Sequence, residues 1–140
     1  MGMYTELVVA FELKNDTPLE VISTLEFMVA KGAKGEKSIP LSLPAHPFFK
    51  TDRWDWMLNS GSYYFSGTPH STIRYDNISK SYFVTIRCNL KNYTDEIEQF
   101  LDWINPYIDE SEHFIGYKWY EENEEPTLLY RSLAQEEGKK

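Results

Sequence analysis

A chain of 140 residues accommodates one domain with one core, because two halves of that length would each bury too little apolar surface without disulfides or metal. Its net charge of −8 repels phosphate backbones and anionic lipid, so direct nucleic-acid or membrane-surface binding is not expected. The apolar runs fall far short of the roughly 20 residues that span a bilayer, and one cysteine, Cys88, excludes both an internal disulfide and a cysteine-built zinc site.

Tyr4 to Lys14 alternates, with Leu7, Val9, Phe11 and Leu13 on one side and Glu6, Val8, Ala10, Glu12 and Lys14 on the other. This reads as a strand with one face packed. Thr17-Pro18-Leu19-Glu20 follows as a helix start, with the Thr17 hydroxyl as N-cap, proline at the first helical position and Glu20 reaching back as a capping box. The helix is expected to run to about Lys31 and to bury Val21, Ile22, Leu25, Met28 and Val29. From Gly32 to Lys50 no period holds, and Pro40, Pro44 and Pro47 keep an apolar run extended. Thr51-Asp52 then caps a short helix through Arg53, Trp54, Asp55, Trp56, Met57 and Leu58.

Three β segments come next: Tyr63 to Phe65, Thr72 to Tyr75 and Ser81 to Leu90, the last two around a hairpin loop at Asp76 to Lys80. Tyr82, Val84, Ile86, Cys88 and Leu90 share one face. A second helix starts near Asn92 to Thr94, buries Ile97, Phe100, Leu101 and Ile104, and turns Asp95, Glu96, Glu98 and Asp102 outward. Asn105-Pro106 ends or kinks it. Phe114 to Tyr120 and Thr127 to Arg131 form a second hairpin-like pair around an acidic tip. The order predicts a single α+β domain over residues 1–134 with a polar tail at 135–140. Its sheet is antiparallel or mixed with about five strands, and two main helices pack on one face in a ferredoxin-like arrangement with additions.

No nucleophile stands in a motif with a base, and His46, His70 and His113 fall in separate segments. Cys88 sits on the inward face of a strand, which reads as a buried, inert thiol. Asp109, Glu110, Glu112 and His113 lack the spacing of a calcium loop or a zinc motif and read as a solvated connector. The glycines at 32 and 35 follow a helix, whereas a phosphate loop must follow a strand. Neither a metal nor a cofactor is expected. The sequons at Asn15, Asn77 and Asn92 read as turn and helix-start chemistry.

Two features depart from the average. Glu121, Glu122, Glu124 and Glu125 form the densest charge in the chain, and four Trp, ten Tyr and eight Phe are too many for the centre of so small a core. Tyr117 and Trp119 share one face of the strand that leads to the acidic tip, and Trp54 and Trp56 follow the proline-rich segment. These residues mark a candidate surface for a protein partner or for self-association. The expectation is a non-enzymatic cytoplasmic binding module. The alternative is a small enzyme or ligand-binding domain with a pocket under Pro40 to Phe49 and with His46 and His70 as acid/base groups. A third reading places a sugar or nucleobase on a Trp/Tyr platform.

The run Phe114-Ile115-Gly116-Tyr117-Lys118-Trp119-Tyr120-Glu121-Glu122-Asn123-Glu124-Glu125-Pro126-Thr127-Leu128-Leu129-Tyr130, with the opening Met3-Tyr4-Thr5-Glu6, resembles small uncharacterised proteins of Gram-positive bacteria and their phages. The resemblance implies a bacterial cytoplasmic setting and carries over no site residue.

Overall fold

In the computed structural model the described residues are 4–30, 40, 42–59 and 71–131. Their elements are β1 (Thr5–Glu12), α1 (Leu19–Ala30), β2 (Thr72–Asp76), β3 (Ser81–Leu90), α2 (Glu96–Ile104), β4 (Phe114–Tyr120) and β5 (Thr127–Tyr130). The strands form one sheet in the order β2-β3-β1-β4-β5, every neighbouring pair antiparallel. The first four strands and two helices reproduce the β-α-β-β-α-β arrangement of ferredoxin-like domains, and β5 is the addition.

β1 lies at the centre of the sheet and its inward face is largely apolar. Leu7, Val9, Phe11 and Leu13 are all buried, beside Val84, Ile86, Cys88 and Leu90 of β3. Each such side chain contributes roughly 1.5–3 kcal/mol on full burial. Both helices close over this face, and their buried side chains belong to the same core cluster. Cys88 is fully buried there, where desolvation, with a lesser push from Glu6, raises its thiol pKa far above the ordinary range.

At Gly116 the backbone of β4 presses on β1. The φ of this glycine is +150°, a conformation that favours glycine, and a Cβ there would stand 2.0 Å from the carbonyl oxygen of Val8. The pairing with β5 shifts register between Phe114 and Gly116, so the strand is bulged at this point. Val9 stands opposite Gly116 and Val8 opposite Tyr117, which places Tyr117 and Trp119 on the helix-free face.

α1 begins without the expected capping box. The Thr17 hydroxyl donates to the carbonyl of Lys14 at 2.7 Å, Glu20 is exposed, and the first turn closes when the N–H groups of Val21 and Ile22 donate to Pro18 O. No α-helix forms at 53–58. Residues 51–56 make turns instead, flanked by short 3₁₀ turns at Pro47–Lys50 and Met57–Asn59. Phe48, Met57 and Leu58 from this stretch are buried in the common core.

α2 starts at Glu96, a turn later than its sequence suggests, because Asn92 reaches over the intervening residues. Its Oδ1 accepts from the N–H of Ile97 at 2.8 Å. Glu96 does not face outward, since its side chain has 0% exposure. It is held inside by donors: the N–H and Nη1 of Arg53, each 3.1 Å away, and the N–H and hydroxyl of Thr94 at 3.2 and 2.8 Å. The buried arc of α2 also includes Trp103, stacked on Phe48 at 5.8 Å and meeting Phe49 edge-on at 5.0 Å. At Pro106 the helix tightens into a 3₁₀ turn, Asn105–Tyr107.

Tyr63 to Phe65, the 31–37 glycine loop, His70 and the 135–140 tail lie outside the described residues. Among those described, no helix is long and apolar enough to cross a membrane.

Candidate functional site

Two regions of the β4–β5 hairpin carry functional side chains, one on each side of the sheet. On the helix side, the end of β4 and the start of β1 and β5 meet the first turn of α2. A recess of about 410 Å³ opens there, lined by Thr5, Asn92, Tyr93, Glu98, Lys118, Tyr120, Asn123 and Thr127. Alternation along β4 directs Lys118 inward, where Gly116 and Tyr120 are its same-face neighbours. An ammonium there needs a carboxylate, and Glu98 supplies it at 2.5 Å. The Nδ2 of Asn92 donates to the other Glu98 oxygen at 2.7 Å.

Burial works to raise the Glu98 pKa, but hydrogen bonds from Lys118 and Asn92 and the adjacent positive charge together outweigh it and hold the carboxyl below the ordinary glutamate range. Because the folded value is depressed, the pair stabilises the fold above the unfolded glutamate pKa, and that contribution is lost as pH falls through the folded value. The Glu98 carboxylate is partly exposed, so solvent screening keeps the effect modest. Carbon-detected titration by NMR is expected to give Glu98 a midpoint below the ordinary glutamate range, and K118M to raise it. A midpoint unaffected by K118M would contradict the assignment.

On the outer side, the hairpin carries most of the residues marked from sequence. Tyr117 and Trp119 are half-buried with rings 6.5 Å apart, and the indole Nε1 of Trp119 donates to the carbonyl of Asn123 at 3.0 Å, closing the turn. Glu121 is tied down: its backbone N–H donates to Tyr4 O and its Oε1 accepts from the Tyr4 N–H, both at 3.0 Å. Glu122, Glu124 and Glu125 are exposed. β5 is one edge strand of the described sheet, β2 being the other, and it shows Leu128 at 53% and Tyr130 at 47% exposure, with Phe114 of β4 at 52%. Leu128 stands opposite Tyr117 and Tyr130 opposite Phe114, which makes a continuous apolar strip.

Trp54 and Trp56 do not share one role. Trp54 packs into the aromatic cluster, 5.0 Å from Phe49 and 6.0 Å from Phe27, whereas Trp56 is exposed on the preceding turn.

His46 does meet a carboxylate, and its two hydrogen bonds tie the loop to α2. Its Nδ1 accepts from the N–H of Phe48 at 3.0 Å and so caps a 3₁₀ turn, which leaves the proton on Nε2 to bond Asp102 at 2.8 Å. Both ring nitrogens are spent, and His46 lines neither described cavity. Removing the imidazole is expected to cost about 1–2 kcal/mol, since the neutral bond to the Phe48 N–H is worth about 0.5–1.5 kcal/mol and the bond to Asp102, whose side chain is largely exposed, is screened by solvent to about 0–1 kcal/mol. Urea unfolding of H46A measures this, and an unchanged midpoint would show that the ring does not hold the loop.

A second, more open cavity of about 440 Å³ is bordered by Lys14, Asn15, Asp16, Asp109 and Glu110. Its carboxylates are turned to local uses: Asp109 accepts from the N–H and hydroxyl of Ser111 at 2.9 and 2.7 Å, the principal reason its carboxyl sits below the ordinary aspartate range. No three of His, Cys, Asp and Glu among the described residues converge as metal ligands do.

Comparison with protein-family models, curated proteins and solved structures finds no match. The recess was not foreseen from sequence, although Lys118 at an inward position of an alternating strand was a usable signal for it.

Proposed function

We propose that this protein is a non-enzymatic binding module that receives an extended, basic segment of a partner protein along the outer edge of β5. The observation that carries this reading is the edge strand itself. Its outer backbone edge has no strand partner among the described residues, and the exposed side chains of Leu128, Tyr130 and Phe114 lie along it, where edge strands are commonly blunted by charge, proline or a cover. Strand addition to such an edge draws affinity from main-chain hydrogen bonds and specificity from alternate side chains.

Charge selects the class of partner. Glu122, Glu124 and Glu125 stand exposed beside the start of β5, and the chain carries a net charge of −8. Two copies would repel one another across this edge, whereas a lysine- or arginine-rich strand would be steered to it. A bacterial cytoplasm is the setting proposed with this role. It is supported by the resemblance at both ends of the chain and by the presence of a single cysteine.

A fluorescent peptide alternating lysine and valine tests the proposal by anisotropy. Binding is expected to saturate at low salt, to weaken as salt shortens the screening length from about 10 Å at 0.1 M to about 3 Å at 1 M, and to protect β5 amides from exchange. L128D should abolish it, and the double variant E124Q/E125Q should flatten its salt dependence. Equal binding of a glutamate–valine peptide, or full binding by L128D, would overturn the reading.

A further inference from the structure

The recess between α2 and the hairpin lies on the opposite side of the sheet from the apolar strip, and its chemistry points to a different ligand. What distinguishes it is a set of polar groups with bonding capacity left over. Lys118 spends one of its three N–H donors, on Glu98. The hydroxyls of Thr5, Tyr120 and Thr127 and the side-chain amide of Asn123 have no hydrogen-bond partner among the described residues, yet all four residues line the same space. Tyr93 and Tyr120 add aromatic rings to the lining.

The charges narrow the ligand class. Lys118 and Glu98 neutralise each other across 2.5 Å, so the recess offers no net field to a small ion. An anion would also meet the net charge of −8, with Glu121 and Glu122 close enough to help raise the Tyr120 pKa, after the larger effect of its own desolvation. A cation would meet the Lys118 ammonium and would leave that group's spare donors unanswered. An apolar ligand would strand every one of these groups without a partner, at about 1–3 kcal/mol for each that is buried. Hydroxyl groups both donate and accept, so a molecule rich in them satisfies the ammonium, the phenol, the amide and the threonines together. A saturated ring also has C–H faces that pack on tyrosine.

We infer that this recess is a binding site for a neutral, polyhydroxylated small molecule of the sugar or cyclitol class. Lys118 and Asn123 are its main hydrogen-bonding groups, Glu98 orients Lys118, and Tyr120 and Thr127 form the mouth. The volume of about 410 Å³ falls in the range of roughly 300–1,000 Å³ typical of small-molecule sites. The inference stands independently of the partner proposed for β5.

The test uses the full chain and follows amide and side-chain resonances by NMR against a panel of neutral mono- and disaccharides and inositol, with glucuronate and glucosamine as charged counterparts. At least one neutral member is expected to shift Lys118, Tyr120, Asn123 and Thr127 saturably, and its charged analogues to bind about tenfold more weakly, the equivalent of about 1.4 kcal/mol. K118M should abolish the shifts. Y120F and T127V, each removing one hydroxyl from the mouth, should weaken them by a similar factor and keep the test valid if K118M disturbs the fold. L128D should leave them intact, which separates this site from the β5 edge. Tighter binding of a charged analogue, no saturable response to any panel member, or unaltered binding by both Y120F and T127V would overturn the inference.

Discussion

Replacing Gly116 with alanine is expected to lower the stability of this protein more than any other single-methyl change. The added carbon would lie 2.0 Å from Val8 O and 2.7 Å from the Cα of Val9, both backbone atoms of the central strand. No rotamer change relieves a clash between two main chains. Strain from a side chain at φ +150° costs about 1–3 kcal/mol, and overpacking adds a similar amount. Set against a total stability of about 5–15 kcal/mol, this should lower the urea midpoint by about 2 M. The loss should also be directional. β4 and β5 depend on β1 through this contact, while β3 pairs with the other edge of β1 over eight residue pairs. Amide exchange is therefore expected to rise first along β4 and β5 in G116A, with the β1–β3 ladder protected for longer. A variant with wild-type stability would show that β4 can stand away from β1 at no cost. Both proposed sites would lose their scaffold in G116A, since Lys118, Tyr120 and Leu128 all ride on this hairpin.

That dependence explains which parts of the fold can be read in the chain and which cannot. The strands are legible because a period of two is local: Leu7 to Leu13 and Val84 to Leu90 alternate without interruption, and the structure buries those residues. Gly116 was legible in principle, because a glycine inside a strand pattern signals a bulge or a close backbone approach, but β1 as the approaching partner is set by topology. The start of α2 was misplaced because its cap comes from Asn92, five residues before the Ile97 N–H that it accepts, while Asp95 takes a left-handed conformation and makes no side-chain cap. Trp103 escaped the expected stripe for a different reason. A helix packed only on a sheet buries one narrow face, but α2 is also covered by Phe48 and Phe49 from the loop, so its buried arc is wider. Covered in this way, its indole N–H is buried without a partner among the described residues. The recess depended on Lys118 meeting Glu98, twenty residues away in sequence, a pairing that no local pattern encodes.

Glu96 gives the sharpest case, and its removal is the second large effect expected. Helical periodicity places it among the acidic residues of an outer face, beside Asp95 and Glu98. Its exposure is nevertheless 0%, because the Arg53 main chain and guanidinium arrive from 43 positions earlier. E96A would leave that guanidinium, only 22% exposed, and the N–H groups of Arg53 and Thr94 without their acceptor. Breaking a buried pair in this way costs about 3–5 kcal/mol, while E96Q, which keeps the shape and one acceptor, should cost less. The cycle of E96A with R53M separates attraction from desolvation: the double variant should recover part of the loss, with a coupling of about 0.5–3 kcal/mol. Strict additivity would mean that the two groups stabilise the fold independently. The consequence extends to the recess, although Glu96 does not line it. Arg53 lies over the ring of Tyr93 at 5.5 Å, and Thr94, hydrogen-bonded to Glu96, accepts from the Asp52 N–H at 3.1 Å. The buried carboxylate thus fixes together the loop and Tyr93, which lines the recess. In E96Q, which should retain the fold, the neutral ligand is expected to bind more weakly while the lysine–valine peptide still binds to β5, so one substitution reports on the two sites separately.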